Sequence, residues 1–200
     1  MKKTGIMGGT FNPIHNGHLM LGEEAFQQFS LDEVFFMPCG KPYMKAGQKV
    51  QPAQIRAEMT ALAIQDKPYF KLSTVEIEQP GNTYTYQTLE RLKRENSDTE
   101  YYYIVGADSL FHMTAWRCPE RIFSNCRILA AVRDDKSVDD VEEQIRRLEQ
   151  EYGAVIHLLK TERMDISSSE IRRRAASGES IENDVPESVR IYIEERRLYR

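Results

Sequence analysis

Cysteine is scarce. The 200 residues hold three, Cys39, Cys118 and Cys126, and no pair has Cys-x-x-Cys spacing. That argues against a disulfide framework and a structural zinc site, and it fits reduced thiols. No apolar run approaches the roughly 20 residues that a membrane span needs. The segment Met1–Met7 lacks the apolar stretch of a signal peptide, so the expected location is cytoplasmic. An excess of basic charge is also missing. The 27 Lys and Arg face 31 Asp and Glu, a formal net charge of −4. That balance argues against a nucleic-acid partner. Small anionic ligands stay open, because a few local donors hold a phosphate. What the chain does have is an ordinary globular mixture, 40% hydrophobic and 29% charged, with enough apolar residues to bury a core.

Neither a linker nor a repeat divides the sequence, so residues 1–200 read as a single domain. Short apolar runs alternate with helical patterns. Strands are expected at Thr4–Met7, Glu33–Met37, Phe70–Val75, Tyr101–Val105, Arg127–Ala131 and Val155–Leu159. Helices are expected at Gly17–Phe29, Pro52–Ile64, Thr85–Glu95, Pro119–Phe123, Val138–Tyr152, Ser168–Ala176 and Glu187–Arg196. Internal strands such as Tyr101–Val105 are apolar throughout, which suits a parallel sheet covered on both faces. The pattern predicts an α/β fold, a doubly wound parallel sheet. Ligands then bind beyond the C-terminal ends of the strands, near the switch point.

The first strand runs into Gly8-Gly9-Thr10-Phe11-Asn12-Pro13-Ile14-His15-Asn16-Gly17-His18. The glycines suggest a tight turn and close approach to a ligand. Asn16 suits an N-cap, and the helix N-terminus behind it favours an anion. His15 and His18 sit at that end and can both donate to phosphate oxygens. The segment is neither a Gly-x-Gly-x-x-Gly fingerprint nor a P-loop. A zinc pair would lack an evident third ligand. Far along the chain, Ile166-Ser167-Ser168-Ser169-Glu170-Ile171-Arg172 opens a late helix. Ser167 and Glu170 have capping-box spacing. Three hydroxyls and Arg172 make the same segment a second phosphate clamp.

Other segments allow two readings each. Gly106-Ala107-Asp108-Ser109 is a plain βα turn, or a close approach with Asp108 on a ribose hydroxyl. Trp116, the lone tryptophan, is core, or an indole at the ligand edge that stacks on a ring. Thr83 and Thr85, around Tyr84, are helix caps, or part of a carboxylate-binding turn. Lys45 and Arg133 are solvated loop residues, or phosphate contacts. His112, His157 and the C-terminal helix read as structural.

The Gly-Gly-Thr-Phe-Asn-Pro-Ile-His-Asn-Gly-His segment resembles the signature of the nucleotidyltransferases with a His-x-Gly-His motif. Ile166–Arg172 is similar to their Ile-Ser-Ser-Thr-x-Ile-Arg motif, with Ser169 for the usual Thr. Over essentially the whole chain the resemblance is to bacterial nicotinate-nucleotide adenylyltransferases. It implies a Rossmann-like domain and adenylyl transfer from ATP to nicotinate mononucleotide. It implies that His15, His18 and Arg172 act on the phosphates, with His18 at the α-phosphate and His15 at the β and γ. Gly8, Gly9, Thr10, Phe11, Gly106, Asp108, Arg133, Ile166, Ser167 and Ser168 then surround ATP. Lys45, Thr83, Tyr84, Thr85 and Trp116 line the mononucleotide site, with Trp116 on the pyridine ring. One departure is Pro42-Tyr43-Met44-Lys45, where the family has Pro-Pro-His-Lys. No acidic cluster suggests a metal cage, so Mg²⁺ is expected to arrive with ATP. The sequence does not show oligomeric state, although a homo-oligomer is common among such enzymes. The alternatives are dual use of nicotinate and nicotinamide mononucleotides, another small acceptor such as phosphopantetheine or a sugar phosphate, and a silent nucleotide sensor.

Overall fold

The structure, a computed structural model, describes residues 1–42, 49–132, 138–162 and 165–200. Six strands form one all-parallel sheet: β1 (Lys2–Gly9), β2 (Glu33–Pro38), β3 (Phe70–Leu72), β4 (Thr99–Gly106), β5 (Arg127–Ala131) and β6 (Ile156–Leu159). Their order across the sheet is β3-β2-β1-β4-β5-β6. The chain therefore starts in the middle, winds outward one way, then crosses to the other side of β1. This is the expected doubly wound, Rossmann-like order, with its switch point between β1 and β4.

The helices are α1 (Asn16–Gln28), α2 (Ala53–Ile64), α3 (Thr85–Glu95), α4 (Ala107–His112), α5 (Pro119–Phe123), α6 (Val138–Tyr152), α7 (Ser168–Ser177) and α8 (Glu187–Glu195). They cover both faces of the sheet. The period of two along the strands divides the core in two. Met7, Tyr102, Ile104 and Leu129 meet α1, α2, α7 and α8 through Leu21, Met59, Ile171 and Val189. Ile6, Tyr101, Tyr103 and Ile128 meet α3 to α6 through Leu89, Leu110, Ile122 and Leu148. Burial on both faces explains why the central strands lack polar alternation.

Several boundaries differ from the sequence expectations. β1 extends through Gly8 and Gly9, which the sequence places in a loop. β3 stops at Leu72, because it is an edge strand with three paired residues and the chain turns at Thr74–Glu78. After Gly106, where the sequence suggests a βα turn, the chain is helical: α4 leads into a 3₁₀ turn, Met113–Ala115, with Trp116 at its end. The cap of α1 is His15 rather than Asn16, whose N–H and side-chain amide bond the carbonyls of Asp184 and Asn183. Pro186 sits at the cap of α8, one residue before its first turn. No helix among the described residues is long and apolar enough to cross a membrane.

Candidate active site

Strand register opens the site. β1 pairs with β4 only as far as Ile6 opposite Tyr103. Beyond that point β1 follows β2 to the pair Gly9–Pro38, while β4 follows β5 to Gly106–Ala131. The two central strands part, and a cleft of about 590 Å³ lies between their C-terminal ends. That volume suits a small organic ligand. Its wall includes Gly8, Gly9, Thr10, His18, Thr83, Thr85, Gly106, Asp108 and Trp116, all expected from sequence.

His18 is half-buried on the first turn of α1 and faces the cleft. The backbone N–H of His15 donates to His18 Nδ1 at 3.2 Å. A neutral His18 ring then carries its proton on Nε2, the donor suited to a phosphate oxygen. The ring is held from two sides. His15 stacks on it at 3.7 Å between centroids, and Phe11 meets it edge-on at 4.9 Å. His15 and Phe11 are themselves buried and lie outside the cleft wall. The ring of Phe11, expected beside ATP, packs in the core against His18. The ring of His15, expected on the outer phosphates, stacks on His18 and does not line the described cleft.

The two glycines serve close packing rather than a turn, since neither has a positive φ. A Cβ on Gly8 would lie 2.4 Å from Tyr103 Oη, and one on Gly9 would lie 2.8 Å from Phe11 Cε1. Tyr103 in turn meets Trp116 edge to face at 6.1 Å. The strand end and the rings beside it leave no space for a methyl group.

The serine segment docks on the loop after β1. Ser167 caps α7 by accepting from the Glu170 N–H at 3.2 Å, as its spacing predicts. Ser168 Oγ donates to the Pro13 carbonyl at 2.9 Å, and Arg172 Nη1 to the Asn12 carbonyl at 2.9 Å. Ile166 packs against the core. These four residues lie beside the described cleft without lining it. Lys45 and Arg133, with Tyr43 and Met44, fall outside the described residues.

Asn12 is a hub that sequence reasoning missed. Its Oδ1 accepts from the Gln51 N–H at 3.2 Å and from Tyr199 Oη at 3.1 Å, and its Nδ2 donates to the Lys49 carbonyl at 3.4 Å. The end of the chain therefore does more than pack. Burial pushes the Tyr199 hydroxyl up in pKa, although Arg172 and Arg56 oppose this. Tyr199→Phe should lower unfolding stability by about 1 kcal/mol, the usual net value of one hydrogen bond. It should also reduce kcat/KM several-fold, because Asn12 carries the carbonyl that Arg172 grips. Urea unfolding and steady-state kinetics check this; a variant indistinguishable from wild type would show the bond to be incidental.

At the other end of the cleft, Thr83 and Thr85 flank Tyr84, the cap residue of α3. No acidic residue of α3 itself occupies its first turn. Glu76, another residue without a sequence signal, braces this turn. It accepts from Thr83 Oγ1 at 3.2 Å and from Thr88 Oγ1 at 3.0 Å. Burial raises its pKa, and the two hydroxyls pull the other way. Tyr84 points elsewhere, with the Arg117 guanidinium 4.8 Å over its ring. Trp116 is half-buried in the cleft wall, as the stacking reading requires. Asp108 is exposed there. His112 also joins the wall, against the structural reading. Its Nδ1 lies 2.6 Å from the Asp108 carbonyl, and since a carbonyl only accepts, Nδ1 is the donor.

Three comparisons bear on this arrangement. The family model described as cytidylyltransferase-like matches residues 6–174. A probable nicotinate-nucleotide adenylyltransferase of Lachnoclostridium phytofermentans is 43% identical over 199 residues, covering 100% of both chains. Another, of Dehalococcoides mccartyi, is 44% identical over 198 residues, covering 98% of this chain and 97% of its own. Among solved structures, the nicotinic acid mononucleotide adenylyltransferase of Plasmodium falciparum complexed with NaAD superimposes with a TM-score of 0.83. At 19% identity, covering 100% of this chain and 98% of that one, it supports the fold alone. The chain thus belongs to the cytidylyltransferase-like family and, within it, to the nicotinate-nucleotide adenylyltransferases.

Proposed function

We propose that this enzyme transfers AMP from ATP to nicotinate mononucleotide, giving nicotinate adenine dinucleotide and pyrophosphate. The observation that carries this reading is one cleft at the switch point with two different ends. A histidine with its proton on Nε2 stands at one end, and an indole beside a helix N-terminus whose own first turn carries no acidic residue at the other. The first suits a phosphate, and the second suits an aromatic ring that bears a carboxylate.

The attacking group is the 5′-phosphate of the mononucleotide. One of its oxygens forms a bond to the α-phosphorus of ATP, and the bond to the bridging oxygen breaks, releasing pyrophosphate. The nucleophile is already an anion, so neither a side-chain nucleophile nor a strong base is needed. The protein aligns two anions and stabilises charge that grows on the α-phosphate. His18 Nε2 donates there, and the stacked His15 keeps its ring in place. Arg172 and Ser168 meet the loop at Asn12–Pro13 from the other side and, with Ser167 at the start of the same helix, hold the outer phosphates. ATP enters as its Mg²⁺ complex, so the metal is part of the substrate.

Pyrophosphate release with Mg²⁺-ATP and each of three acceptors tests the reading, with products identified by mass spectrometry. Nicotinate mononucleotide should exceed nicotinamide mononucleotide by at least about tenfold in kcat/KM, as a carboxylate gains more than an amide at a helix N-terminus. Phosphopantetheine should give no product. Equal rates on the two pyridine nucleotides would remove the α3 account of selectivity. Release with none of the three would overturn the proposal.

A further inference from the structure

One buried cation near the cleft has no role in the mechanism above. Arg56 on α2 is 1% exposed. Its five N–H groups are all engaged. Nε donates to the Gln51 carbonyl at 3.0 Å. Nη1 donates to the Thr10 carbonyl at 2.6 Å and to Cys39 Sγ at 3.8 Å. Nη2 donates to the carbonyls of Cys39 at 2.7 Å and Gly40 at 2.8 Å. Each of these acceptors is neutral, with the Cys39 thiol pushed up in pKa by burial. No carboxylate is among them.

A buried charge without a counter-ion is costly, and a fold that needed only a tether could use a neutral amide. The position says what offsets the cost. Thr10 follows β1 and Cys39 follows β2, and both stand in the cleft wall. The guanidinium lies directly behind that wall and ties the two strand ends together. An anion in the cleft would supply the negative charge that none of the acceptors of Arg56 carries. A planar fork reaches four carbonyls from two directions, which an ammonium does not.

We propose that Arg56 is a positioning residue for the triphosphate. It fixes the Thr10 and Cys39–Gly40 backbone at the base of the cleft, and its uncompensated charge raises affinity for the polyanion. This rests on the reading of the cleft as an ATP site.

The test compares Arg56→Met and Arg56→Lys with the wild type by calorimetry, using inorganic tripolyphosphate and adenosine as separate probes. Arg56→Met should lose on the order of tenfold in tripolyphosphate affinity, the scale of one charge acting through a protein surface. Adenosine affinity should change less than twofold. Arg56→Lys retains the charge but loses the fork, so tripolyphosphate should bind within about threefold of wild type while kcat falls further than affinity. Equal losses for both probes would show a role in folding only and overturn the proposal, as would an unchanged tripolyphosphate affinity. If Arg56→Met does not fold, Arg56→Lys decides: retained tripolyphosphate binding with a lower kcat supports the proposal, and parallel loss of both probes overturns it. A wild-type protein that ignores tripolyphosphate and ATP would overturn the ATP reading itself, and that result is separate because it precedes any variant.

Discussion

His18→Ala should lower kcat for pyrophosphate release by on the order of 10²–10³, the range for losing one preorganised donor to a developing oxyanion. Thermal unfolding should shift little, because the ring is half-buried at the cleft edge. The KM for ATP should rise only modestly if, as proposed, Arg172 and the serine segment hold the outer phosphates. The donor is the proton on Nε2. The backbone N–H of His15 fixes that by bonding Nδ1 at 3.2 Å, and the bond forms only because His15 caps the helix that His18 enters. Two residues between the histidines set one turn of helix, so the spacing of the motif is the geometry of the donor. An unchanged kcat would remove His18 from the transition state. A large loss of folded protein would make the ring a structural prop for Phe11 and His15.

That spacing was legible because it is local. The glycine pair, the two histidines and the Ser167–Glu170 cap lie within single segments, and a turn of helix converts their order into geometry. The parallel sheet was legible for a similar reason, as burial on both faces imposes continuous apolar runs such as Tyr101–Val105. What the sequence hid depends on distant pairings. Arg56 reads as one more charge on a helix until its guanidinium meets Thr10 and Gly40 across the fold. Glu76 sits in a polar stretch, and only the approach of Thr83 and Thr88 gives it a task. Tyr199 reaches Asn12 across 187 residues. Phe11 belongs to the same motif as cleft-lining neighbours, but the sequence does not show that its own ring turns inward beneath His18.

Gly8→Ala should reduce kcat/KM by about 10²-fold, the scale of a displacement near 1 Å in an aligned site. It should also cost about 1–3 kcal/mol of stability, as overpacking does. The cause is one collision. The new methyl would stand 2.4 Å from Tyr103 Oη and 3.1 Å from its Cζ. Tyr103 cannot retreat freely, since it is 8% exposed and meets Trp116 edge to face. Moving it would shift the indole of Trp116 in the cleft wall. Removal of the hydroxyl clears the shorter contact and leaves the longer one, which a small shift relieves. Adding Tyr103→Phe to Gly8→Ala should therefore recover at least about half of the lost stability, on the overpacking scale. It should also return KM for nicotinate mononucleotide toward wild type. Urea unfolding and initial rates on the two single variants and the double variant close the cycle. If the two effects simply add, the glycine is required by something other than Tyr103, with the ligand itself the remaining neighbour of that strand end.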